Sequence, residues 1–165
     1  VNRVRTQRQA EAIAAALDYI PDRLLPLTGC DIFCADPWFA GVHDLREADN
    51  GETVELRAHA VNESITRDRR RVICIPEEVE VVTVLHEMAH IIDYTLWDRT
   101  GGRHLPRMEP INAYAENYYG EAFAESFVQW LYGAEMVNKL LVERPHMWDR
   151  WSRENDEWWD RLLLQ

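Results

Sequence analysis

Apolar residues recur along the chain in two rhythms, one helical and one strand-like, and together they predict an α+β order. Residues 6–20 place Ala10, Ile13, Leu17 and Ile20 at helical spacing before Pro21 ends the run. Ile32 to Ala35 is short and apolar, as a strand requires, and Pro37 and Gly41 mark the turn after it. Between Val54 and Val61 the apolar positions alternate (Val54, Leu56, Ala58, Ala60), predicting a strand with one wet face. Arg71-Val72-Ile73-Cys74-Ile75 predicts a further strand, stopped by Pro76, and a helix follows over 78–98. The stretch 99–110 has Gly101 and Gly102 together with Pro106 and Pro110, so it is a loop, either a hinged rim or a plain connector. In the tail, Trp148, Trp151, Trp158, Trp159 and Leu162 are spaced for a helix. Such stripes are usually core; the alternative is a partner-binding surface, because exposed tryptophans concentrate at interfaces.

The helix over 78–98 carries the one sequence that changes this picture from architecture to chemistry, His86-Glu87-Met88-Ala89-His90. Positions four apart stack on one helical face, so the two imidazoles meet at one point. Glu87 lies about 100° further round, within reach of a water held there. Two neutral nitrogen ligands, an open coordination position and a carboxylate base are the parts of a zinc hydrolase site. Such a short motif arises by chance in about one in a hundred chains of this size, so its surroundings decide its weight.

A catalytic zinc needs a third protein ligand. Downstream, Glu121 and Glu125 are four apart and share a helical face, flanked by Phe123, Phe127, Trp130 and Leu131. Two carboxylates in an apolar setting repel each other unless a cation faces them. Glu121 is therefore expected as the third ligand, with Glu125 accepting the free ring N–H of a ligand histidine, His86 before His90. The bland alternative is an exposed acidic helix face. His104 is the rival ligand, disfavoured because Arg103 and Arg107 beside it would repel a dication.

With these residues in place, the chain resembles the gluzincin metallopeptidases, and more closely the anthrax-lethal-factor-like domain and its relatives, including the secreted Pro–Pro endopeptidases. The likeness rests on the HExxH motif and on the Glu-x-Phe-Ala-Glu-x-Phe pattern of residues 121–127. It also rests on Tyr114 seven positions before Glu121, and on Asp93-Tyr94 after the second histidine. It covers about residues 78–132. The resemblance implies a zincin-like domain, with a small mixed sheet packed on the HExxH helix and a second, Glu-bearing helix. It implies one catalytic zinc on His86, His90 and Glu121, Glu87 as general base, and Tyr114 as hydrogen-bond donor to the oxyanion. Tyr118 and Tyr119 are the reserve donors, and Glu125 and Asp93 support the ligands from behind. It further implies a strand at the sheet edge bordering the cleft, for which residues 54–61 are the choice, and a protein or peptide substrate. Metzincins fit less well, because Asp93 and Leu96 stand where they carry Gly and a third His. A zinc ribbon is excluded by the lack of paired C-x-x-C knuckles. Two other functions stay open: a zinc-binding interaction domain without turnover, and a zinc hydrolase acting on the peptides of a cell wall. Glu87 speaks against the first, since a structural site has no need of it.

Composition bounds the rest. With 165 residues, 47% hydrophobic, the chain is expected to form one domain over 1–165, its first 77 residues supplying a helix and the sheet and 78–165 the helical part with the metal site. The three cysteines suggest no disulfide framework; Cys30 and Cys34 are expected as buried thiols. A net charge of −11 speaks against a nucleic-acid partner. The local basic cluster Arg67, Arg69, Arg70, Arg71 predicts an edge turn. No apolar run approaches the ~18 residues of a membrane span. The N-terminus lacks a signal-peptide pattern, so a cytoplasmic location is expected, with a secreted one open if Val1 follows a removed leader.

Overall fold

A computed structural model of the chain describes residues 2–34, 59–61, 71–99, 119–132 and 148–164. Within them lie strands β1 (Asn2–Arg3), β2 (Asp31–Cys34), β3 (His59–Val61) and β4 (Val72–Ile75). The helices are α1 (Gln7–Tyr19), α2 (Val81–Arg99), α3 (Tyr119–Tyr132) and α4 (Trp148–Leu164), with a 3-10 turn at Leu25–Leu27.

The strands form one mixed sheet in the order β1-β2-β4-β3. β1, β2 and β4 run parallel, with Ile32 opposite Ile73 and Cys34 opposite Ile75, and β3 closes the edge antiparallel, Ala60 opposite Ile73. β4 is buried along its whole length. That is why its sequence is a continuous apolar run rather than an alternation: a central strand of a mixed sheet, buried on both faces, has no wet side to mark with polar residues. The expected strand at 32–35 begins one residue earlier. Of the strand expected at 54–61, residues 59–61 are seen and the others lie outside the described residues. β1 has no counterpart in the sequence reading, since two polar residues carry no periodicity.

Helix α1 starts at a capping box. Thr6 Oγ1 accepts from the Gln9 N–H at 3.1 Å, and Gln9 Oε1 accepts from the Thr6 N–H at 3.2 Å. Gln9 is fully buried, and its amide nitrogen donates to the carbonyl oxygens of Ile75 (3.4 Å) and Pro76 (3.1 Å), tying α1 to the exit of β4. The buried face of α1 is therefore Gln9, Ala12, Ile13 and Ala16; Ala10, expected inward, is exposed. The error has a physical cause, because a glutamine serving as both cap and interior bridge breaks the hydrophobic pattern.

α2 is the hub, packing on α1, α3, β3, β4 and the 3-10 turn. Residues 87–92 are buried without interruption, as a helix covered on most sides must be. Near its C-terminal end Thr95 Oγ1 donates to the carbonyls of Ile91 (2.9 Å) and Leu27 (3.1 Å). Arg71 donates to Thr95 and pairs with Asp98, so this arginine clasps the start of β4 to α2. Arg67, Arg69 and Arg70 lie outside the described residues.

α3 lies between α2 and α4 and is buried from Ala122 to Gln129. Trp159 is fully buried and packs at 5.2 Å and 5.1 Å from the rings of Phe123 and Phe127. Trp151 is buried as well, and Trp158, half-buried, meets Phe123 edge-on. These tryptophans are core, which overturns the partner-surface alternative for them; the Trp148 side chain lies outside the described residues. A polar seam crosses the α3–α4 interface. Asn155 Nδ2 donates to the Ser126 carbonyl (2.7 Å) and to Gln129, and Trp159 Nε1 donates to Ser126 Oγ (3.2 Å). Cys74 is buried and Cys30 half-buried; the Cys34 side chain lies outside the described residues. No helix among the described residues is long and apolar enough to cross a membrane.

Candidate metal centre

α2 and α3 are packed side by side, and their facing sides carry the polar residues that would otherwise be misplaced in a core. His86 and His90, one turn apart on α2, stand with ring centroids 5.0 Å apart and planes at 79°. Glu121, in the first turn of α3, reaches across to both. Its Oε2 lies 2.9 Å from His86 Nε2, and its Oε1 lies 3.3 Å from His90 Nε2. One ligand atom from each of the three side chains falls within 4.8 Å of the others, and the group can hold a metal ion. Donors at ~2.0–2.1 Å from a tetrahedral ion are about 3.3 Å apart; the two Glu121–histidine separations, each through a different oxygen, are near that value within an overall spread of 4.8 Å. The donor chemistry, two imidazoles and one carboxylate, suits a divalent first-row metal ion.

Electrostatics in the centre follow from these contacts. Burial alone would depress the His86 pKa, but the Glu121 hydrogen bond and the charges of Glu87, Glu121 and Glu125 outweigh it and raise it. Burial alone would raise Glu121, but hydrogen bonds to His86 and His90 hold its carboxyl well below the usual carboxylate range. Its place in the first turn of α3 adds the favourable end of the helix dipole. An ionised carboxylate held against two imidazoles is a ligand already in its metal-binding protonation state.

Glu87, on the next position of α2, is buried, and its charge reaches both His86 and Tyr94. Glu125 is buried one turn beyond Glu121, and its charge also acts on His86. The exposed acidic face offered as the alternative for this pair is thereby excluded. Asp93 is half-buried one turn past His90, and its charge acts on the adjacent Tyr94. Tyr114, Tyr118 and His104 lie outside the described residues, as does the Tyr119 side chain.

Two neighbours of the centre, Gly120 and Tyr94, were given no role in it from the sequence, although Tyr94 is among the residues that carry the resemblance. Gly120 brings the backbone of α3 against His90: a Cβ built on it would stand 3.5 Å from His90 Nδ1 and 3.7 Å from Cε1. Tyr94, four residues after His90, lies nearly parallel to its ring at 6.5 Å between centroids and 21° between planes. Burial, then Asp93, Glu87 and Glu121, push the Tyr94 pKa up to about 12, so its phenol stays neutral. The spacing of His86, His90 and Tyr94 was a signal available in the sequence; nothing comparable marks Gly120.

No family model matches this chain, and neither a curated protein nor a solved structure matches it.

Proposed function

We propose that this chain is a zinc metallopeptidase of gluzincin type with a zincin-like fold, hydrolysing peptide bonds in a protein or peptide substrate. The observation that carries the reading is the convergence of His86, His90 and Glu121 on one point, with Glu87 buried beside them. A purely structural metal site would need a fourth protein ligand and no base. The motif residues that resemble the lethal-factor-like domain add support, as does an edge strand, β3, packed against α2.

In this reading His86 and His90, through Nε2, and Glu121, through its carboxylate, hold the zinc. When bound, the zinc supplies Lewis acidity, making a water more acidic and polarising the scissile carbonyl. Glu87 takes the proton from the attacking water on a carboxylate oxygen and returns it to the leaving amine nitrogen. Glu125 orients the His86 ring by accepting its remaining N–H, and Asp93 contributes negative charge on the His90 side. Tyr114, on the pattern it resembles, donates its hydroxyl proton in a hydrogen bond to the oxygen on which negative charge develops. Among the described residues β3 ends the sheet, and its outer side would offer backbone groups for pairing with an extended peptide.

The test is cleavage of a diverse peptide library by zinc-loaded protein beside Glu87→Gln. The expected result is about one zinc per chain in both proteins, with cleavage by the variant lower by about 10²–10⁴-fold. Equal cleavage by the two proteins, or a zinc-loaded wild type that cuts nothing, sinks the peptidase reading.

A further inference from the structure

The two histidines of the centre are not equivalent. The His86 side chain is 25% exposed and that of His90 11%, so His86 stands at the open end and His90 at the closed end. A histidine ring turns about χ2 in a broad, roughly two-fold well, so nothing intrinsic fixes its plane. Half a turn exchanges Nε2 with Cε1 and removes the ligand atom from Glu121. Something beside His90 must therefore hold its ring.

We propose that Tyr94 is a positioning residue whose ring, lying along the His90 imidazole, keeps His90 Nε2 aimed at the point shared with His86 and Glu121. The inference rests on reading that group as a metal centre. Helical side chains lean toward the N-terminus, so a residue four positions on lies over the one before it. Tyr94 accordingly leans over His90, with centroids 6.5 Å apart and planes at 21°, within the range of offset aromatic pairs. Tyr94 is itself anchored, because it packs against the main hydrophobic core. Tyr94 touches neither substrate nor metal in this account; it acts through His90.

The experiment uses the full chain, metal-stripped, titrated with Zn²⁺ and with Co²⁺, whose visible absorption reports ligand geometry. Tyr94→Leu is expected to weaken affinity for both ions by about 10–100-fold and to alter the cobalt bands. Tyr94→Phe, which keeps the flat ring, is expected to stay within about threefold of wild type with wild-type bands. Tyr94→Met keeps apolar bulk without the flat face; it is expected to behave as Leu and replaces it if Leu does not fold. Wild-type affinity and spectrum in a folded Leu or Met variant overturn the inference, as does a Phe variant as weak as Leu. Peptide cleavage does not enter this readout. A wild type that binds metal but cuts nothing sinks the peptidase and leaves Tyr94 standing; an indifferent Tyr94 leaves the peptidase standing.

Discussion

The carboxylate of Glu121 meets two imidazoles with one oxygen each, and this arrangement makes metal uptake a proton exchange. The signs can be worked out for the metal-free protein. His86 has its pKa raised above 6.5, so its stabilisation is present below that value and is lost as pH rises through the folded one. Glu121 has its pKa lowered from 4.5, so its stabilisation is present above that value and is lost as pH falls through the folded one. The metal-free centre is thus most stabilising between about pH 4.5 and 6.5. An incoming dication displaces the His86 proton, so affinity falls as pH drops through the raised value. Calorimetric titration at pH ~6 in two buffers of different ionisation enthalpy is expected to count about one proton released per metal, declining at higher pH. Proton-free uptake at pH ~6 would contradict this account of the His86–Glu121 contact.

At the scale of elements, α3 does two things with one stretch of sequence. Glu121 reaches His86 and His90 and the charge of buried Glu125 acts on His86, while Phe123 and Phe127 pack on Trp159 of α4. The outer helix therefore backs the ligand helix. Trp159→Ala is expected to cost about 3–5 kcal/mol in denaturant unfolding, the usual price for emptying a buried tryptophan site. A loss below about 1 kcal/mol would mean that α4 is not part of the same cooperative unit. Sequence periodicity located α1, α2, β4 and the tail helix to within a few residues, because each is amphipathic or uniformly apolar. It failed where polar residues are buried. Gln9 is interior as a bridge between α1 and β4, and Ser126, Gln129 and Asn155 are interior as a seam between α3 and α4. A hydrophobic pattern has no place for a polar group that is buried with its partners. The short strand β1 was missed for a different reason, since it is held by pairing with β2 rather than by any pattern of its own.

For the whole molecule, the metal group joins two helices whose ligands are far apart in sequence, so an ion bound there braces α2 against α3. An ion at a hundred times its dissociation constant adds about 2.7 kcal/mol. For a domain of this size that corresponds to a rise of about 5–10 °C in Tm. Glu121→Ala is expected to abolish the rise in a thermal melt with and without zinc. A rise that persists in the variant would point to diffuse binding by the acidic surface, which the net charge of −11 makes the necessary control. The candidate centre was legible because its spacing follows helix geometry: the histidines stand four positions apart, and so do Glu121 and Glu125. Gly120 was not legible, since nothing in the sequence marks its place beside the His90 ring. The three donors also have a consequence for what a purified sample will contain. Two imidazole nitrogens and one carboxylate oxygen rank first-row dications as most such sites do, with copper above zinc. Occupancy is then a record of which ion the cell or the growth medium offered, and one metal per chain becomes evidence of zinc only once the element itself has been identified.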